Sequence, residues 1–110
     1  MISESDFKDH AAEALEDLED RVSPISEELE FEVESGGGML TFDFEKPAAS
    51  KFIISPNSPA RQIWVSALST SFKFDWDDEQ NSFVLDKTRE HFSKVIADLL
   101  SRQLGQTIKL

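Results

Sequence analysis

The sequence predicts an α+β two-layer sandwich, an antiparallel sheet of five to six strands with N- and C-terminal helices packed on one face. Two observations carry this. Apolar residues recur at helical spacing near both ends of the chain, and between them lie short runs of alternating polarity divided by Gly, Pro and Asn/Asp turns. The 110 residues suit a single domain, 1–110, because one core commonly serves about 100–150 residues.

The first helix has an N-cap at Ser3, with Asp6 three residues on, or at Ser5. Phe7, Ala11, Ala14, Leu15, Leu18 and Val22 fill one arc of its helical wheel. Asp6, Asp9, Glu13, Glu16, Asp17 and Asp20 fill an arc almost opposite. Next, Phe31 and Val33 alternate with Glu30, Glu32 and Glu34, the period of a half-buried strand with a glutamate face. If that strand lies beside the end of the helix, the two carboxylate rows merge into one ridge.

Gly36-Gly37-Gly38 is a turn between strands and not a phosphate loop, since no Lys-Ser/Thr and no helix follow it. Met39–Glu45 alternates, with Leu40, Phe42 and Phe44 on one face. Lys46–Ser50 turns the chain. Short strands follow at Lys51–Ser55, ended by Pro56-Asn57-Ser58-Pro59, then at Gln62–Ala67, Phe72–Trp76 and Ser82–Leu85. The second helix begins near Thr88, with Phe92, Val95, Ile96, Leu99 and Leu104 as its stripe and Gly105 beyond its end. The tail alternates, so Ile108 and Leu110 can cover the gap between the helices.

Charge narrows the function. The formal net charge is −11, and fifteen of the 22 acidic side chains lie in residues 1–45, where only Lys8 and Arg21 oppose them. The remainder is nearly neutral. Such a chain disfavours nucleic acid and anionic lipid and favours cations and basic protein surfaces. Solubility alone does not call for Asp9–Glu13, Glu13–Asp17 and Glu16–Asp20, because like charges at i,i+4 cost about 0.2–0.5 kcal/mol per pair. Glu19 and Asp20 are also read as opposing the dipole at the helix C-terminus. With no cysteine, thiolate ligands and disulfides are excluded. No run approaches the roughly 18 apolar residues of a membrane span, and the acidic N-terminus lacks a targeting pattern, so a cytoplasmic protein is expected.

In Gln62-Ile63-Trp64-Val65-Ser66, Ile63 and Val65 point to the helices and Trp64 to the open sheet face, with Arg61 and Lys73 close in the chain. An exposed tryptophan among polar groups is a candidate partner anchor. His10 lies beside Asp6 and Glu13 on the wheel and offers a further nitrogen ligand, whereas His91 reads as structural or solvated. Neither histidine has a Ser or Asp constellation at motif spacing. Exposed carboxylates on a convex helix also lack the desolvation that tunes a general acid. The chain reads as no enzyme.

The acidic first helix, Gly37-Gly38-Met39-Leu40-Thr41, Pro59-Ala60-Arg61-Gln62-Ile63-Trp64-Val65-Ser66 and Phe74-Asp75-Trp76 together resemble the frataxin family, specifically its short bacterial (CyaY-type) form. The resemblance runs from about Asp6 to Gly105. It implies the α+β sandwich and weak, exchangeable binding of iron (Fe²⁺/Fe³⁺), with Glu13, Glu16, Asp17, Glu19, Asp20, Glu30, Glu32 and Glu34 as candidate ligands. It also implies contacts with a cysteine desulfurase and an iron–sulfur scaffold protein through Asn57, Gln62 and Trp64, beside which Lys73 adds a cation. Four positions depart from the family pattern: Ser55-Pro56-Asn57 replaces the usual Asn, basic residue and Gln, and Lys8 stands where bacterial relatives carry histidine. An iron-oxidising activity has been proposed in the family, but no Glu-x-x-His pattern of a dinuclear site occurs here.

The reading is therefore an iron-binding regulator or iron chaperone of iron–sulfur cluster assembly, cytoplasmic and monomeric. Carboxylate-only ligation suits hard cations, so calcium, magnesium and manganese would compete. The alternatives are an acidic protein-docking decoy or adaptor without physiological metal binding, and iron storage through iron-driven oligomers.

Overall fold

The computed structural model describes residues 2–110: α1 (Glu4–Leu29), β1 (Glu32–Gly36), β2 (Met39–Phe44), β3 (Ser50–Asn57), β4 (Gln62–Ala67), β5 (Thr70–Asp77), β6 (Ser82–Leu85) and α2 (Phe92–Leu104). The strands form one antiparallel meander in the order β1-β2-β3-β4-β5-β6. Both helices bury their stripes against the same sheet face. Phe7, Ala11, Leu15, Leu18 and Val22 of α1 and Phe92, Val95, Ile96, Leu99 and Leu100 of α2 share one core with Leu40, Phe42, Phe44, Phe52, Ile54, Ile63, Val65 and Phe74. Among the described residues no helix is long and apolar enough to cross a membrane.

The register divides the sheet into two faces. The row Leu40–Ile54–Val65–Phe72 points to the helices, while Ser55–Trp64–Lys73 and Thr41–Ile53–Ser66–Ser71 point away. The β1–β2 hairpin closes on Gly37 and Gly38 with φ of 60° and 79° between the paired Gly36 and Met39, the two-residue turn that needs positive φ at both centres. Leu68 and Ser69 make the same turn between β4 and β5 without glycine, at φ 51° and 61°. The β3–β4 and β5–β6 turns are built alike. Asn57 Oδ1 accepts the Ala60 N–H and Asp77 Oδ1 accepts those of Glu79 and Gln80, and each loop ends on a left-handed residue, Arg61 or Asn81.

Several boundaries differ from the sequence reading. Ser3, not Ser5, caps α1, its Oγ accepting the Asp6 N–H at 3.1 Å. The helix runs on through Pro24 to Leu29, with the hydroxyls of Ser23 and Ser26 donating to the carbonyls of Glu19 and Ser23 around the proline. Glu19 and Asp20 are thus mid-helix, and the acids opposing the dipole in the last turn are Glu27 and Glu28. Glu30 is the left-handed cap of α1 (φ 58°) and not a strand residue. β3 does not stop before Pro56: its pairing with β2 ends at Leu40–Ile54, so beyond that point it is an edge strand, where proline is tolerated. α2 starts at Phe92, because Thr88 to Glu90 turn the chain and Arg89 has φ 65°. Gly105 caps α2 at φ 69°, and the tail folds back so that the Ile108 N–H donates to Ser101 Oγ at 2.8 Å and its side chain joins the core.

Candidate functional site

The first candidate surface is the outer side of α1. Burying the Phe7–Val22 stripe on the sheet turns the opposite arc to water, and Asp6, Asp9, Glu13, Glu16, Asp17 and Asp20 are all exposed, with Glu19 half-buried. Two cations offset them: Lys8 pairs with Glu4 at 3.3 Å and Arg21 with Asp17 at 3.0 Å. Both pairs are solvent-exposed i,i+4 contacts of small energetic weight. Among the described residues Glu13, Glu16, Glu19 and Asp20 have no ion-pair partner.

The helix acids divide between two flanks. Glu13 and Asp17 border a groove shared with His10, Trp76 and the start of α2. Glu16, Glu19 and Asp20 border a larger one facing the β1–β2 hairpin. His10 is stacked on Trp76, with ring centroids 3.8 Å apart and planes 12° from parallel. The ring is thereby held against β5. His91 Nδ1 lies 3.2 Å from Ser82 Oγ, in keeping with a structural role.

The strand glutamates do not share the helix side of the sheet. Val33 pairs with Phe42, which faces the helices, so Glu32 and Glu34 point to the other side of the sheet. Glu34 stands in the Thr41–Ile53–Ser66–Ser71 row, on the same face as Trp64. Glu30, at the helix cap, is 3.8 Å from Lys46 Nζ. Among the described residues no three His, Asp or Glu side chains are gathered around a point where one ion could sit. What α1 presents is a row of separate carboxylates and not a closed chelate.

The second candidate surface surrounds Trp64. The alternation Ile63-in, Trp64-out, Val65-in holds, and Trp64 is 38% exposed, one of two large apolar side chains so placed among the described residues. Its indole Nε1 donates to Gln62 Oε1 at 2.9 Å, and Gln62 Nε2 donates to Asp75 Oδ1 at 3.0 Å. Lys73 Nζ lies 5.1 Å from the ring centroid, a cation–π contact. The tryptophan is therefore held in one orientation from both neighbouring strand positions. Asn57 serves the β3–β4 turn through its side chain, next to this face. Asp75 is the member the sequence reading missed, although alternation from Lys73 already put it on the Trp64 face.

A family profile for the frataxin-like domain matches residues 1–106. The chain belongs to the frataxin family. The chain is 33% identical over 104 residues to the iron–sulfur cluster assembly protein CyaY of Pseudomonas fluorescens strain Pf0-1, covering 94% of this chain and 91% of that one. It is 28% identical over 99 residues to the protein of the same name from Azotobacter vinelandii, covering 88% of each. A solved frataxin from Psychromonas ingrahamii superposes with a TM-score of 0.80 over 98% of this chain and 97% of that one, at 21% identity. The frataxin fold read from Gly37–Thr41 and Pro59–Ser66 is thus borne out, while the iron and partner residues rest on the arrangement described above.

Proposed function

We propose that this frataxin-family chain acts in iron–sulfur cluster assembly as an iron-binding regulator, or iron chaperone, and not as an enzyme. Its relatives carry the name of that process. The observation that carries the reading is the pairing of two unlike surfaces on one small domain. One is the α1 carboxylate row, left mostly unneutralised, and the other is the sheet face on which Gln62 and Lys73 fix Trp64. The carboxylates take Fe²⁺ or Fe³⁺ weakly and exchangeably, as hard oxygen ligands with water completing the shell do. The same row docks on a basic surface of cysteine desulfurase, and Trp64 with Gln62 engages the assembly machinery, including the scaffold protein. The chain works in the cytoplasm as a monomer, with iron-driven oligomers at high metal load.

The separation of the carboxylates also favours a second reading, an acidic docking adaptor without physiological metal. Docking needs only the field of the row, whereas metal binding needs at least two carboxylates to converge. Trp64→Arg with α1 intact tests the proposal in a reconstituted cluster-assembly reaction. A changed desulfurase affinity or assembly rate is expected. Wild-type values for both would overturn the role given to the tryptophan face.

A further inference from the structure

Met39, which neither ion binding nor charge docking uses, shares a face with Trp64. Leu40 is buried in the core, so alternation along β2 turns Met39 to the open side of the sheet, where it is 40% exposed. Met39 and Trp64 are the two exposed large apolar side chains among the described residues. Leu40 pairs with Ile54 and Trp64 with Ser55, so one step further in register Met39 lies beside Ser55. The serine thus stands between the two apolar groups. Their backbones are two strand spacings apart, about 10 Å, which leaves a gap over Ser55 one aliphatic side chain wide. Against Trp64 the gap deepens into a depression of about 260 Å³ bordered by Ile53, Ser55, Ser66, Ser71 and Lys73. The charges beside it differ in what they already hold. Asp75 accepts from Gln62 Nε2, whereas Lys73 lies over the indole without an ion-pair partner among the described residues.

We infer that Met39 and Trp64 are paired anchors for one segment of an assembly partner, in which an aliphatic side chain stands beside a carboxylate. The aliphatic group seats over Ser55 between the two anchors, and the carboxylate meets Lys73. Binding energy concentrates in such clustered, partly exposed apolar groups, and the unbranched thioether of methionine adapts to the side chain placed on it. A second copy of this chain is disfavoured as the occupant by the formal charge of −11 that each copy carries. The inference rests on the docking role proposed for Trp64 and deepens it: this face calls for an apolar, acidic segment, and α1 for a basic one.

Three blocked pentapeptides, ELGLE, KLGLK and EGGGE, separate anchor from charge. They are titrated into protein labelled at the methionine methyls and indole N–H groups, at about 0.15 M salt, where charges more than about 8 Å away are screened. ELGLE is expected to shift the Met39 methyl and the Trp64 indole N–H with one midpoint. Burial of one leucine makes it bind about tenfold tighter than EGGGE, and pairing with Lys73 makes it bind this face about threefold tighter than KLGLK. Met39→Gln is expected to remove most of the preference for ELGLE over EGGGE, and Lys73→Gln the preference for ELGLE over KLGLK. An unmoved Met39 methyl, equal affinity for ELGLE and EGGGE, or equal or tighter binding of KLGLK at Trp64 overturns the proposal. So do Met39 and Trp64 signals that shift with protein concentration alone, which assign the face to a second copy. If the peptides fail while Trp64→Arg still changes cluster assembly, the paired anchors are refuted and the docking role of Trp64 stands.

Discussion

Trp64 and Gln62, two residues apart on β4, are joined side chain to side chain: the indole N–H donates to the Gln62 amide oxygen at 2.9 Å. Gln62 is in turn held by Asp75 across the strand pair, so the exposed ring is pre-set and does not swing freely. Gln62→Leu removes both hydrogen bonds. The expected outcome is an upfield move of the Trp64 indole N–H resonance and a loss of about 1 kcal/mol in unfolding free energy. Urea denaturation with tryptophan-resolved NMR checks both.

The acidic helix is expected to trade stability for function. Glu13 has like charges at Asp9 and Asp17, one turn away on either side. Glu13→Lys converts two repulsions into attractions, which at about 0.2–0.5 kcal/mol per pair and sign raises stability by about 1 kcal/mol. The same variant should bind a basic partner more weakly. Thermal unfolding at low and high salt checks the electrostatic origin, since the gain should shrink with added salt.

The Asp77 carboxyl is held below the usual range, chiefly by accepting the Gln80 N–H, with Arg89 and the Glu79 N–H adding to it against a desolvation that pushes the other way. A depressed folded value means that its contribution is present above the unfolded value of 3.8 and disappears as pH falls through the lower folded value. Asp77→Asn is therefore expected to be less stable than wild type at pH 7, with the gap closing below pH 3.8. Denaturant midpoints at the two pH values measure it.

Ser69 occupies the second centre of a tight turn at φ 61° without being glycine. Ser69→Gly relieves a left-handed conformation that costs an L-residue about 1–2 kcal/mol, less the chain entropy glycine adds to the unfolded state. A net gain of about 0.5–1 kcal/mol is expected in the urea midpoint. By contrast, Phe52→Ala empties the sheet centre where its ring meets Phe44 at 4.8 Å, and should cost about 3–5 kcal/mol.

The core was legible because its periodicity is clean. Every residue from Phe7 to Val22 assigned to the α1 stripe, except half-buried Ala14, is buried, and the meander follows from turn residues at close spacing. Boundaries were less so. Glu19 and Asp20 read as near the C-terminus of α1, yet the helix passes through Pro24 because Val22, Ile25 and Leu29 continue the apolar stripe onto the core. Pro56 reads as a strand end, and only the register shows that its missing N–H falls beyond β2. The side taken by the strand glutamates was hidden for the same reason: which face Glu32 and Glu34 share depends on the pairing of Val33 with Phe42, a long-range relation that local alternation does not contain. The contact of His10 with Trp76 joins residues 66 positions apart, and nothing in either segment announces it.

We propose that α1 carries iron and partner on one carboxylate row. An amide-resolved NMR titration of the labelled chain, first with Fe²⁺ and then with cysteine desulfurase, tests it most directly. Both are expected to perturb Glu13 to Asp20, with desulfurase binding in competition with the metal. Amides from Glu13 to Asp20 that stay unmoved as Fe²⁺ is added would contradict it.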